Sequence, residues 1–272
     1  MKQRVVLGLC AVVFVAFPAA VMADDIKSVD VLIAKYIEAV GGRKAIDSVK
    51  TMRMTGKNIM AGGMEMPLVM EFKAPNKLRV NITFQGMSIV QAFDGTTGWM
   101  IMPFSGNMDP QKMSKEDVAT FEKQADIQSP FVDYAKKGNK VELVGKKEVD
   151  GSEVYDIKVT YKDGMVAHYF LDSEYFLPVK VTGKRKTQGM EMEIETTLGD
   201  YKEVGGLMIP HSMSTHAESS PMPDSTVTFD KTELNVDVAD SRFAMPKVKA
   251  PEVAPKPTAV NTSKKAPAVD KP

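Results

Sequence analysis

The residues able to do chemistry are few and scattered. The 272-residue chain has three histidines, His168, His211 and His216, and a single cysteine, Cys10. A serine hydrolase would show a nucleophile on a Gly-x-Ser-x-Gly turn with a base and its orienting acid in reach, and that turn is absent. His211 and His216 stand five apart in a candidate strand, so their rings fall on opposite faces and no shared metal is expected. Gly41-Gly42 and Gly205-Gly206 are isolated doublets that read as a helix stop and a hairpin turn, not as a phosphate-cradling loop. These residues predict no catalytic group, no metal ligand set and no cofactor: the chain is read as a non-enzyme.

The unusual residue is methionine, with 20 copies. Four Met-x-Met pairs occur, at 52/54, 64/66, 100/102 and 190/192, and in a strand each pair projects to one face. Three readings stand side by side. Methionine can fill a sheet core as leucine does; it can line an adaptable apolar pocket, being unbranched and polarizable; or its thioethers can hold Cu(I). The copper reading is the weakest, because no pair is accompanied by a suitably placed His or Cys.

The background composition narrows the partners. Lys and Arg number 35 against 35 Asp and Glu, and the sequence pI is near 6.9, which removes the cationic footprint of a nucleic-acid binder. Lys2 and Arg4 precede an apolar run from Val5 to Phe17, and Val21-Met22-Ala23 supplies a cleavage signature. Residues 1–23 are therefore read as a signal peptide cleaved after Ala23, removing Cys10 and sending the rest to the periplasm; 13 apolar residues are too few to span a bilayer. After Pro246 the composition turns to Pro, Ala, Val and Lys. Residues 247–272, with 6 Lys, 5 Pro, 2 acidic residues and no aromatic, are predicted to be a disordered basic tail.

Between them lies one predicted domain, 24–246. Val29, Leu32, Ile33, Tyr36, Ile37 and Val40 recur at helical spacing before the Gly41-Gly42 stop. From Thr51 the period becomes two. Met64, Met66, Leu68, Met70 and Phe72 alternate with Glu65, Pro67, Val69 and Glu71, and Leu78, Val80, Ile82 and Phe84 alternate with Lys77, Arg79, Asn81 and Thr83. Short turns between the strands indicate an antiparallel meander. A helical interruption is expected over 114–137, opened by Ser114 with Asp117, before alternation resumes to about residue 235. About a dozen strands and only two helical segments leave part of one apolar sheet face uncovered, which predicts a ligand cavity.

Four landmarks in order carry a family resemblance: Ala74-Pro75-Asn76-Lys77-Leu78-Arg79; Asp94-Gly95-Thr96-Thr97-Gly98-Trp99; Tyr169 through Pro178; and Asn235 through Pro246. Over most of residues 28–246 the chain resembles a divergent member of the LolA-like outer-membrane lipoprotein carrier superfamily. The resemblance implies a mainly β fold, an open antiparallel half-barrel with a helical lid formed by an N-terminal helix and a mid-chain helical insertion. It implies a periplasmic carrier or binder of lipid acyl chains or lipidated proteins, served by an envelope donor or acceptor. An envelope sensor or scaffold of the same fold is the alternative, and a Met-rich Cu(I) protein the weaker one. The ligand-binding set read from alternation and resemblance together is Met64, Met66, Leu68, Met70, Phe72, Leu78, Val80, Ile82, Phe84 and Trp99. Ala74 stands where the carrier has the arginine that latches its lid.

Overall fold

The computed structural model describes residues 26–187, 190–217 and 224–247. The signal-peptide and cleavage readings, Cys10, and all of the predicted tail beyond Lys247 lie outside the described residues, as does the side chain of Met190.

Helix α1 (Val29–Val40) forms where the apolar residues recur at helical spacing, and Gly41 ends it at φ 124°. A Cβ on Gly41 would sit 1.9 Å from the carbonyl oxygen of Gly206, so only glycine lets the helix end approach that hairpin. Helix α2 (Arg43–Ser48) follows directly. Six strands then form the predicted meander: β1 (Thr51–Met60), β2 (Met64–Lys73), β3 (Lys77–Phe84), β4 (Met87–Phe93), β5 (Gly98–Met102) and β6 (Asn107–Lys112).

Helix α3 (Lys115–Gln124) opens as expected, the Ser114 hydroxyl accepting the amide of Asp117. The helical reading of 114–137 holds only for this first part. From Ala125 the chain breaks into turns, with Ser129 and Asp133 at positive φ and Pro130 between them. A second meander follows: β7 (Lys140–Val149), β8 (Ser152–Thr160), β9 (Val166–Asp172), β10 (Pro178–Thr187), β11 (Met190–Val204), β12 (Leu207–Ala217) and β13 (Ser225–Leu234).

The thirteen strands make one open antiparallel sheet, ordered β6-β5-β4-β3-β2-β1-β13-β12-β11-β10-β9-β8-β7. The two meanders meet at a seam between β1 and β13. Gly56 lies at the seam's register shift, where a Cβ would stand 1.9 Å from the Thr228 carbonyl oxygen. Because β6 and β7 are opposite edges, the segment joining them must cross the sheet, and α3 with residues 125–138 does so over the inner face. Phe121, Ala125 and Val132 pack there with Leu68, Leu78 and Phe93. Helix α1 covers the other half through Leu32, Ile33 and Tyr36, which pack with Phe131, Ile157 and Leu171.

The outer face is also partly covered. After β13 the chain turns back across β1 to β5: the amide of Asn235 donates to Thr51, Lys73 donates to the carbonyl of Val238, and Val238 and Phe243 are buried. This strap buries on the outer face a side chain, Glu71, that alternation alone assigns to solvent.

Candidate functional site

Cross-strand pairing fixes which side chains share a face. One inner row reads Leu234, Met52, Phe72, Leu78, Phe93, and the next reads Thr232, Met54, Met70, Val80, Gln91, Met100. The row between them, Glu233, Arg53, Glu71, Arg79, Ala92, Trp99, faces outward.

A cavity of about 380 Å³ opens where the two inner-face clusters meet. Tyr36 and Val40 of α1 wall it on one side, and Ile46 and Val49 of the α2 segment on another. Residues 124–131 close it above, and the sheet supplies Met52, Phe72, Tyr169, Val181, Leu198, Leu207, Ile209 and Leu234 below. The sequence folds this way locally because α1 and residues 125–138 each cover their own half of the sheet, leaving the seam between the halves incompletely filled.

The hydroxyls of two cavity tyrosines are held by protein partners. The Tyr201 hydroxyl donates to the Pro178 carbonyl at 2.6 Å, and the Tyr169 and Tyr161 hydroxyls lie 2.6 Å apart. Burial pushes the Tyr36 phenol up to about 12 and raises Tyr169 and Tyr201 as well, so all three stay neutral at ordinary pH. Asp126 is the one carboxylate in the wall. Burial raises its pKa, against the opposing pull of Lys137, whose ammonium donates to it at 2.5 Å. A second cleft of about 260 Å³ shares Asp126, but its lysines are already matched by carboxylates, Lys137 with Asp126, Lys162 with Glu122 and Lys123 with Asp163. Among the described residues no group of three or more His, Cys, Asp and Glu side chains could hold a metal ion. What the main cavity can do is enclose an apolar chain.

Of the ten side chains read from sequence, Phe72 lines this cavity. Leu68, Met70, Leu78, Val80 and Ile82 share its face and pack in the adjoining core cluster with Met52, Met54 and Met100. Met66 is buried, Met64 exposed, and Phe84 stacks edge-on against Phe104 at 5.1 Å, all three toward the far end of the strands. Trp99 is corrected to the opposite face. It pairs with Ala92 in the outward row, is 2% exposed, and its indole nitrogen donates to the Phe243 carbonyl. The cavity residues that sequence reasoning missed come from the second meander and from 124–131; Val181, Leu198 and Ile209 sit in alternating strands, but nothing local places them opposite Phe72.

These features define the LolA-like fold, a single open antiparallel sheet whose inner face is crossed by a few helices. The chain is similar in structure to a LolA superfamily protein from Nitrosomonas europaea (TM-score 0.52, 14% identity), covering 78% of this chain and 96% of that one. It is likewise similar to a domain assigned to outer membrane lipoprotein sorting from Vibrio parahaemolyticus (0.52, 14%, 78% and 97%). A DUF1329 family protein from Desulfovibrio piger aligns with a TM-score of 0.55 at 11% identity, over 79% of this chain and 97% of that chain. No protein-family model matches the sequence, and no curated protein matches it. Among the described residues no helix is long and apolar enough to cross a membrane.

Proposed function

We propose that the protein is an exported, periplasmic binder or carrier of lipid acyl chains or lipidated proteins, acting by reversible burial without a catalytic step. The observation that carries this reading is the apolar cavity between α1, α2, residues 124–131 and the sheet seam. Its tyrosines are neutral and turn their hydroxyls to protein partners, so the wall offers an incoming chain mainly carbon. Each methylene moved from water into such a site contributes about 0.8 kcal/mol, so a long chain is held by its length without a specific polar contact. The similarity of fold to a lipoprotein-sorting domain supports the same class of cargo.

Leu198→Trp fills the cavity from the sheet side. It is expected to reduce binding of a fluorescent fatty-acid probe by at least about tenfold while the variant keeps its cooperative melt. Undiminished probe binding by a folded variant would place the ligand elsewhere and sink the assignment. Mass spectrometry of lipid carried through a detergent-free purification would identify the natural cargo.

A further inference from the structure

In the first meander, the end of the sheet away from α2 has a composition of its own. Because β1 to β6 form an antiparallel meander, the turns joining β1 to β2, β3 to β4 and β5 to β6 all emerge at that end. The three tips read Met-Ala-Gly-Gly-Met (60–64), Phe-Gln-Gly-Met-Ser (84–88) and Met-Pro-Phe-Ser-Gly-Asn-Met (102–108). None carries an ionisable side chain, in a chain of which 26% is charged. Large apolar side chains nevertheless stand in water there: Met64 is 47% exposed, Met102 39%, Phe104 47% and Met108 70%. The edge-on contact of Phe84 with Phe104 ties the second tip to the third.

A largely buried row of side chains on the inner face connects this rim to the cavity. From Met64 the side chains of β2 run Met66, Leu68, Met70 to Phe72, which lines the cavity. The eight residue-to-residue steps from Met64 to Phe72 make the lane about 26 Å long.

We propose that the rim is a docking surface for the interface of a neutral lipid layer, into which the Met and Phe tips insert. Exposed apolar side chains on tips that themselves carry no charge, with Glu65, Asp109 and Asp224 only flanking them, favour a lipid interface, because the attraction is non-directional and needs no matched polar partner. Three separate tips on tight glycine turns suit a soft, deformable surface better than a protein groove. Docking stands independently of the cavity's ligand; the use of the lane as the path of an acyl chain rests on the function proposed above.

The test is co-sedimentation of the mature exported chain with phosphatidylcholine vesicles, whose lack of net charge removes any contribution from a basic tail. The expected result is binding that persists from about 0.05 to about 0.5 M salt and falls at least about tenfold in F104D/M108D. Melting temperature and probe binding in solution stay at wild-type values. Should the double variant fail to fold, Met108→Asp, at the most exposed position, is expected to weaken vesicle binding alone. Absent vesicle binding, binding abolished by salt, or binding indifferent to these substitutions would overturn the docking surface, as would a rim variant whose only effect is to split a dimer seen by size exclusion. Loss of probe binding in Leu198→Trp with vesicle binding intact would separate the cavity from the rim.

Discussion

The indole nitrogen of Trp99 donates to the main-chain carbonyl of Phe243 at 2.6 Å, joining β5 to the strap that returns across the outer face. Both side chains are buried, Phe243 fully and Trp99 at 2% exposure. Trp99→Phe keeps most of the ring but leaves a buried carbonyl without its donor. The expected cost is about 2 kcal/mol in urea unfolding, with fatty-acid probe binding unchanged. A variant of wild-type stability that loses probe binding would return Trp99 to the ligand site.

Glu71 is the charged centre beneath that strap. Its carboxylate, 1% exposed, accepts from Arg242 at 2.7 and 2.6 Å and from Arg53 at 3.1 Å, with Arg79 at 3.7 Å. Burial and the neighbouring Arg242 lower the pKa of Arg79. Removing the one carboxylate leaves three guanidinium groups facing one another, so Glu71→Gln is expected to destabilise by about 3 kcal/mol. Denaturant midpoints measure it, and a loss below about 0.5 kcal/mol would show that solvent screens the arginines adequately.

Asp133 links the crossing segment to α2 through Arg43 at 2.6 Å, with Lys136 at 3.1 Å. Hydrogen bonds from Arg43 and Lys136 lower its pKa from 3.8 to about 2. A carboxylate depressed in the folded state stabilises it above the unfolded value, and this contribution disappears as pH falls from about 4 towards about 2. The stability difference between wild type and Arg43→Ala is therefore expected to be constant near neutrality and to shrink over that acid window. A difference independent of pH down to about 2 would assign the effect of Arg43 to packing.

Asn58 lies on the inner lane opposite Met66, 8% exposed, and its Oδ1 has no hydrogen-bond partner. An unsatisfied buried acceptor costs about 1–3 kcal/mol. Asn58→Leu, nearly isosteric, is expected to raise the midpoint of thermal unfolding in the ligand-free protein. A fall would mean that the carboxamide is satisfied in solution.

Alternation and turn chemistry determined the local structure. They marked α1 with its glycine stop, the strands from Thr51 onward, the Ser114 cap, and the division of β3 into Leu78, Val80 and Ile82 on one face and Lys77, Arg79 and Asn81 on the other, because a strand's side chains alternate whatever surrounds them. The same period tells that Trp99 and Met100 point opposite ways without telling which way is inward. Parity restarts at every turn, and the loop at Asp94 to Thr97 resets it. Hydrophobicity could not decide either, since the strap from Asn235 makes the outer face apolar around Trp99 and charged yet buried around Glu71. Only the tertiary structure joined β1 to β13, by a pairing between residues some 180 positions apart that no local signal encodes. That seam brings Val181, Leu198 and Ile209 into one cavity with Phe72. The cavity belongs to the space between two meanders and their separate covers, and it exists only once both are packed.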